Sequence, residues 1–329
     1  MAHPMSFSID TLRIQSKPKA EKLNLDMHQA ELETLATKLS ASPEFRVLRR
    51  INPRIEIAPD TGRPLLKGIV VDTETTDLDS SRGKIIEIGI VAFEYDPTTG
   101  QPVRVIDTYG ELEDPGQPLS PEITAITGIT DEMVSGKHID EDRVAALVKG
   151  ASIVVAHNAE FDRPFLENRL PAFDGLPWGC SMMDIDWTSE TVGSRKLDYI
   201  AFRMGFFFDA HRAEEDCKAL LEILAHPLPV SGAPVLKPLL DRLPQVSYTL
   251  FALNSPYATK DLLKARKYRW DGDQKVWHRT VVGKQSFDEE VLWLKSEIYG
   301  GRPARIDVVE RDSRTRFPRK PVPKTTQSI

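Results

Sequence analysis

The stretch Ile69-Val70-Val71-Asp72-Thr73-Glu74-Thr75-Thr76 constrains this chain more tightly than any other. Its β-branched run reads as a buried strand, and that strand ends in two carboxylates two residues apart. Residues i and i+2 of a strand share a face, so Asp72 and Glu74 point the same way. Two adjacent, partly buried anions are costly unless a cation joins them. A hard divalent ion with oxygen ligands, such as Mg²⁺ or Mn²⁺, removes that cost. A solvated strand end could carry the same pair with no ligand, so the motif gains meaning only with company.

Two further acidic positions supply it. Ala156-His157-Asn158-Ala159-Glu160-Phe161-Asp162 follows a second apolar strand, Ile153-Val154-Val155, and puts Asp162 near the first turn of a helix. Negative charge is favoured there by the macrodipole. His211-Arg212-Ala213-Glu214-Glu215-Asp216 opens a third element, a helix with Ala213, Cys217, Leu220, Leu221 and Leu224 along one face. On a single helix, His211 and Asp216 would lie about 140° apart, so they converge only if His211 sits in the preceding loop. A loop histidine beside cation-bound water, with an ordinary pKa of ~6.5, suits a general base. Each element also has a structural reading: Asp162 as a helix-terminal charge, His157 as a packing or hydrogen-bonding group, His211 as a surface residue.

The apolar spacing predicts a helix over 27–39, after a polar arm over 1–27, and a turn-rich linker over 59–64. Strands follow over 68–74, 84–94 and near 103–109, then a loop and short helix over 120–134 and a helix over 140–148. Strand 153–156, helix 161–168, strand 182–187 and helices over 197–204 and 212–224 complete the pattern. A meander of strands followed by alternating strands and helices implies a mixed α/β sheet covered by helices. The Pro- and Leu-rich stretch 227–244 reads as a tether or packed linker. A small unit over 246–299 ends in a helix at 288–298, and the Arg- and Pro-rich remainder reads as disordered.

Taken together, the three motifs resemble the DEDDh 3′→5′ exonuclease family, which includes the epsilon proofreading subunit of bacterial DNA polymerase III. Thr127-Gly128-Ile129-Thr130 and Lys196-Leu197-Asp198-Tyr199-Ile200 are similar to family landmarks, although many relatives carry His where this chain has Thr127. The resemblance covers roughly residues 67–226. It implies a ribonuclease H-like fold and two-metal hydrolysis of a phosphodiester at a 3′ end, releasing nucleoside 5′-monophosphates. It implies that Asp72 bridges two Mg²⁺ or Mn²⁺ ions. Glu74 and Asp216 help hold the ion carrying the nucleophilic water, and Asp162 supports the second ion. His211 deprotonates the water. Thr75, Thr76, Leu78, Phe161 and Asn158 are the expected contacts to the terminal nucleotide, with Phe161 serving as a stacking surface or as core.

Charge sharpens the division of labour. The net charge of −6 hides an uneven distribution: +2 over 1–65, −15 over 66–245 and +7 over 246–329. An acidic middle beside a basic C-terminal third fits a metal-holding domain next to a polyanion-binding module. In that module, the basic stretch 260–267 precedes Trp270-Asp271-Gly272-Asp273-Gln274-Lys275-Val276-Trp277, which reads as a hairpin. Basic residues interleaved with aromatics suit nucleic acid, while the two tryptophans could equally form a small core.

Two cysteines, Cys180 and Cys217, exclude a disulfide scaffold and a cysteine-rich zinc site. No apolar run approaches membrane-spanning length, and the N-terminus lacks a signal-type apolar region. The expectation is therefore an α/β protein: a ribonuclease H-like mixed sheet flanked by helices, plus a small C-terminal α+β module. Its parts are an N-terminal arm and helix (1–66), the exonuclease domain (67–228), a linker (229–245), the Trp-containing, nucleic-acid-binding module (246–300) and a disordered basic tail (301–329). Expected partners are nucleic acid, DNA ahead of RNA, and a DNA polymerase or other replication or repair protein, in the cytoplasm and without membrane association. The rival expectations are an exoribonuclease of the same family and a non-catalytic nucleic-acid-binding or polymerase-docking protein.

Overall fold

The computed structural model describes residues 29–317 and 322–329. The polar arm expected over 1–27 lies outside them. The chain divides into two units, Met1–Val47 and Leu48–Ile329. In the first, the helix Gln29–Ser40 matches the spacing of Leu32, Leu35 and Leu39, which remain exposed.

Among the described residues, the second unit holds two five-stranded sheets and a short parallel pairing of Arg49–Arg50 with Phe206–Phe207. The first is built from β1 (Leu66–Thr75), β2 (Ile85–Asp96), β3 (Gln101–Leu112), β4 (Ile153–Ala156) and β5 (Trp178–Cys180), in the order β3-β2-β1-β4-β5. β1, β2 and β3 pair antiparallel, and β4 and β5 join parallel on the other side of β1. This is the helix-flanked mixed sheet that the sequence resemblance implies. Alternation sorts the side chains into two cores. Val70, Val91 and Phe93 face one, with Cys217, Leu220 and Leu224 of α2 (Ala213–Ala225). Ile69, Val71, Ile88 and Ile90 face the other, with Phe165 and Leu166 of α1 (Ala159–Arg169).

The second sheet is wholly antiparallel. Its strands are β6 (Ser247–Ala252), β7 (Arg269–Asp271), β8 (Val276–Val282), β9 (Arg305–Arg311) and β10 (Thr325–Ser328), in the order β10-β9-β6-β8-β7. Two helices accompany it, α3 (Lys260–Ala265) and α4 (Lys284–Trp293), the latter continuing as a wider turn to Ile298. The expected hairpin is present: Asp271 accepts from the backbone N–H groups of Asp273 and Gln274 and so shapes the turn.

Three local expectations change. The segment 182–187 is not a strand; the strand is Trp178–Cys180, and Asp184 ends it by accepting from the Cys180 N–H at 2.8 Å while its own N–H returns to the Cys180 carbonyl. The stretch expected as a linker over 229–245 contains the helix Leu236–Arg242, and Val235, Leu236 and Leu239 are buried in the first sheet's core. The tail from 301 onward is not disordered within the described residues. It contributes β9 and β10, and residues 312–317 then strap onto the first sheet. Arg316, 4% exposed, pairs with Asp184 at 2.6 Å and donates to the Trp178 carbonyl. Arg163 of α1 donates to the Arg314 and Arg316 carbonyls, and the Trp178 N–H donates to the Ser313 carbonyl. Arginine-rich composition suggested a solvated tail, but arginine is buried readily where a carboxylate and carbonyls satisfy its fork.

Candidate active site

Asp72 and Glu74 lie on the face of β1 that α2 covers, whereas Thr73, between them, faces α1. The end of β1 is therefore reached from both sides. From the α2 side comes Asp216, whose ligand oxygen lies with those of Asp72 and Glu74 in a cluster spanning no more than 4.8 Å. From the α1 side comes Asp162, 3% exposed, whose Oδ1 accepts from the Thr73 N–H at 3.1 Å and the Thr73 hydroxyl at 2.9 Å.

A lane of glycines brings α2 this close. Gly89 on β2 stands opposite Asp72, and Gly110 on β3 stands opposite Gly89. A Cβ at Gly89 would come within 2.2 Å of the Ala213 carbonyl oxygen, and one at Gly110 within 2.5 Å of a Glu214 carboxylate oxygen. The first turn of α2 thus lies directly on the sheet. The Cys217 thiol donates to the Gly89 carbonyl beneath it.

The loop before α2 is fixed by a residue outside the three motifs. Glu87, 4% exposed, lies opposite Glu74 in the β1–β2 register. It accepts from Arg212 Nη2 at 2.8 Å and Nε at 3.0 Å, and from the Ala213 N–H at 3.0 Å. Asp216 caps the same turn by accepting from the Arg212 N–H at 3.1 Å. His211 lies in the loop, as the convergence argument required. It is exposed and held at φ +69°, and it acts electrostatically on Asp216. The signal for Glu87 was present in the sequence: it is a carboxylate inside the apolar run Ile85-Ile86-Glu87-Ile88.

Burial dominates the electrostatics. It drives Asp72 well above the usual carboxylate range, reinforced by Asp162, Asp216, Glu74 and Glu87. Glu74 is pushed up to about 8, Asp162 to about 7 and Asp216 to about 6, each chiefly by burial. For Asp162 and Asp216, hydrogen bonds to the charged form hold the rise back. Arg212 favours the charge on Glu74, but it is itself bonded to Glu87. An all-oxygen, anionic, closely spaced donor set with this unrelieved repulsion fits one or more hard divalent cations.

The remaining expected residues divide. The Thr75 hydroxyl donates to the Asp77 carbonyl, and the Thr76 hydroxyl accepts from the Lys84 N–H, so both serve the β1–β2 turn. Leu78 projects from that turn and is 86% exposed. Phe161 is partly buried, its ring 5.1 Å from that of Phe165. Asn158 takes the N-cap position of α1 without a side-chain cap bond. His157 bonds Ser181 Oγ and the Arg195 carbonyl, which is the structural role its sequence context also allowed.

Comparison with known proteins places this geometry. A family model described as "Exonuclease" matches residues 69–224. The chain is 31% identical over 163 residues to the DNA polymerase III subunit epsilon of Treponema pallidum, covering 46% of this chain and 72% of that protein. It is 32% identical over 161 residues to the PolC-type DNA polymerase III of Thermotoga petrophila, covering 47% of this chain and 11% of that polymerase. The chain thus spans only about a tenth of the length of the PolC-type relatives it matches. Among solved structures, exonuclease X in complex with 5′-overhanging duplex DNA is 26% identical, with 48% of this chain and 89% of that chain covered at a TM-score of 0.38. Among the described residues, no helix is long and apolar enough to cross a membrane.

Proposed function

The chain belongs to the DEDDh family of 3′→5′ exonucleases, and from that premise we propose that it hydrolyses DNA from the 3′ end to nucleoside 5′-monophosphates with two divalent ions. The observation that carries this reading is the convergence of Asp72, Glu74 and Asp216 within 4.8 Å, reached from opposite faces of one strand together with Asp162. Mg²⁺ or Mn²⁺ held there would supply charge stabilisation at the attacking and leaving oxygens of the phosphodiester.

The protein's own residues do the rest. Asp72, Glu74 and Asp216 would hold the ions, and Asp162, one of whose oxygens is committed to Thr73, would support the second of them. His211, exposed in the loop that Glu87 and Arg212 hold, takes the proton from the attacking water. Leu78 and Phe161 flank the terminal nucleotide, where an apolar or aromatic surface receives a base without regard to its identity. Asn158, Thr75 and Thr76 shape the same pocket through the turn and helix start they occupy. The partner of such a chain, in the cytoplasm, is nucleic acid, with a DNA polymerase or repair protein presenting the 3′ end.

The deciding experiment is a denaturing-gel time course on 5′-labelled single-stranded DNA with Mg²⁺ or Mn²⁺. Matched RNA and a mismatched-end duplex run in parallel, and Asp72→Ala is the control. A ladder shortening from the 3′ end, absent in the variant, is the expected result. Folded protein that cuts none of these substrates overturns the reading.

A further inference from the structure

The C-terminal sheet carries a cleft of about 490 Å³ that shares no residue with the four-carboxylate site. Ala252 on β6, Trp277 on β8 and Trp270 on β7 are directly opposite one another and so share one face. The two indole rings are 5.5 Å apart and inclined at 59°. Trp277 packs against the module's apolar core, while Trp270, on the edge strand, is 52% exposed. Of the two roles open to the tryptophans, core and stacking surface, each ring therefore takes one. Ala252 contributes no bulk and leaves a floor beside Trp277. Tyr257, just before α3, is 81% exposed on the same cleft.

Its rim is basic. Lys260 and Lys264 lie one turn apart on α3, where like charges repel, and Lys275 stands in the hairpin at φ +53°. Among the described residues, no carboxylate is paired with these three lysines. Lys260 lies 4.2 Å from the Tyr257 ring centroid and donates to its hydroxyl at 2.8 Å. Asp271, in the hairpin, is taken up by the turn. Exposed flat aromatic faces beside unneutralised cations combine the two features that track a single strand: bases stack on the rings and phosphates meet the ammonium groups. An acidic peptide would use the cations and leave the aromatic faces idle.

We propose that this cleft binds single-stranded polynucleotide, with bases on Trp270 and Tyr257 and phosphates on Lys260, Lys264 and Lys275. The proposal deepens the exonuclease reading and rests on it for the identity of the strand. It gives the strand a second holding site besides the one where its 3′ end is cut.

The test uses the full chain in EDTA, so that nothing is hydrolysed, with fluorescence anisotropy of 5′-labelled dT20 and U20 across a salt series. Tyr257→Ala/Trp270→Ala should weaken binding about tenfold or more. Lys260→Gln/Lys264→Gln should reduce the slope of log K against log salt by about 1.4, at ~0.7 for each phosphate left without its cation. Near-unchanged far-UV circular dichroism verifies the fold; Tyr257, Lys264 and Trp270 are exposed and Lys260 is half-buried, so none of the replacements opens a core. Tighter binding of U20 than dT20 would support the site and assign RNA as its source. Unchanged dT20 affinity in the aromatic variant overturns the proposal, as does poly-glutamate binding as tightly as dT20. Cleavage of a trinucleotide with Mn²⁺ should be equal in the parent and both variants, because none of the replaced residues belongs to the four-carboxylate site. Its absence in the parent would count against the exonuclease reading while leaving the binding result standing.

Discussion

Asp162 is held by Thr73, the residue that separates Asp72 from Glu74: one carboxylate oxygen accepts both the Thr73 N–H and its hydroxyl. The bond ties the helix on one face of the sheet to the strand end whose carboxylates face the other. Thr73→Val keeps the shape and the backbone bond but removes the hydroxyl. A hydrogen bond to a charged group contributes about 1.5–3 kcal/mol, so turnover should fall roughly 10- to 100-fold with the fold intact. Unchanged kcat in a metal titration would show that Thr73 does not position Asp162.

Gly89→Ala should displace α2. The added methyl meets backbone, not a flexible side-chain end, because the Ala213 carbonyl lies 2.2 Å from the Cβ position. Either the helix start lifts, carrying Asp216 away from Asp72, or β2 shifts beneath it. Overpacking of this kind costs about 1–3 kcal/mol, and the ion-dependent rate should fall further than stability does. A variant with full activity and unchanged melting temperature would refute the lane.

The carboxylate cluster sets a pH dependence whose sign is fixed. Glu74, Asp162 and Asp216 have raised values in the folded protein, about 8, 7 and 6. Their contribution to stability is therefore complete below the ordinary carboxylate range, near pH 4, and is lost as pH rises through 6 to 8. Without metal, the melting temperature should fall across pH 5 to 8.5. Saturating Mn²⁺ should flatten that fall, and its binding at pH 7 should release protons, read by calorimetry in buffers of differing ionisation enthalpy. Asp72→Asn removes one buried ionisable carboxyl from the cluster, so the metal-free melting temperature at pH 8 should be no lower than the parent's while hydrolysis is abolished. A variant less stable than the parent at pH 8 would contradict the repulsion account.

His211→Gly separates chemistry from folding. His211 sits at φ +69°, a conformation that costs a side-chain-bearing residue and costs glycine nothing. Stability should be unchanged or slightly higher, while the rate drops on the order of 10²–10⁴-fold if the imidazole is the base. Retention of the parent's pH–rate limb in this variant would remove that role.

Arg316→Ala should destabilise the first sheet. The residue is 4% exposed and its guanidinium is paired with Asp184, and breaking one side of a buried pair costs about 3–5 kcal/mol. Denaturant unfolding followed by Trp178 and Trp187 fluorescence would measure it. A midpoint equal to that of the parent would mean that residues 312–317 merely rest on the sheet.

How far the sequence was legible depended on whether the signal was local. Ile153–Ala156 and Leu197–Met204 fall where periodicity put them, because apolar spacing reports burial directly. Met182 to Trp187 misled for the same reason: Ile185 and Trp187 are buried and Met182 half-buried from within turns, which periodicity cannot distinguish from a strand. Leu236 and Leu239 were hidden by the prolines around them, although they pack as fully as any core strand.

The sequence by itself determined that Asp72 and Glu74 close a buried strand on one face, that Asp162 opens a helix, and that a histidine precedes Asp216 by five residues. These are properties of two backbone periods and need no knowledge of what packs where. Only the tertiary structure decided that Asp162 and Asp216 reach the strand end from opposite faces, that glycines at 89 and 110 admit α2, and that Glu87 with Arg212 fixes the His211 loop. It also decided that an arginine-rich terminus becomes a buried strap. Each of these depends on a partner dozens to more than a hundred residues away, and a buried charge is identified by the group that satisfies it, not by its neighbours in the chain.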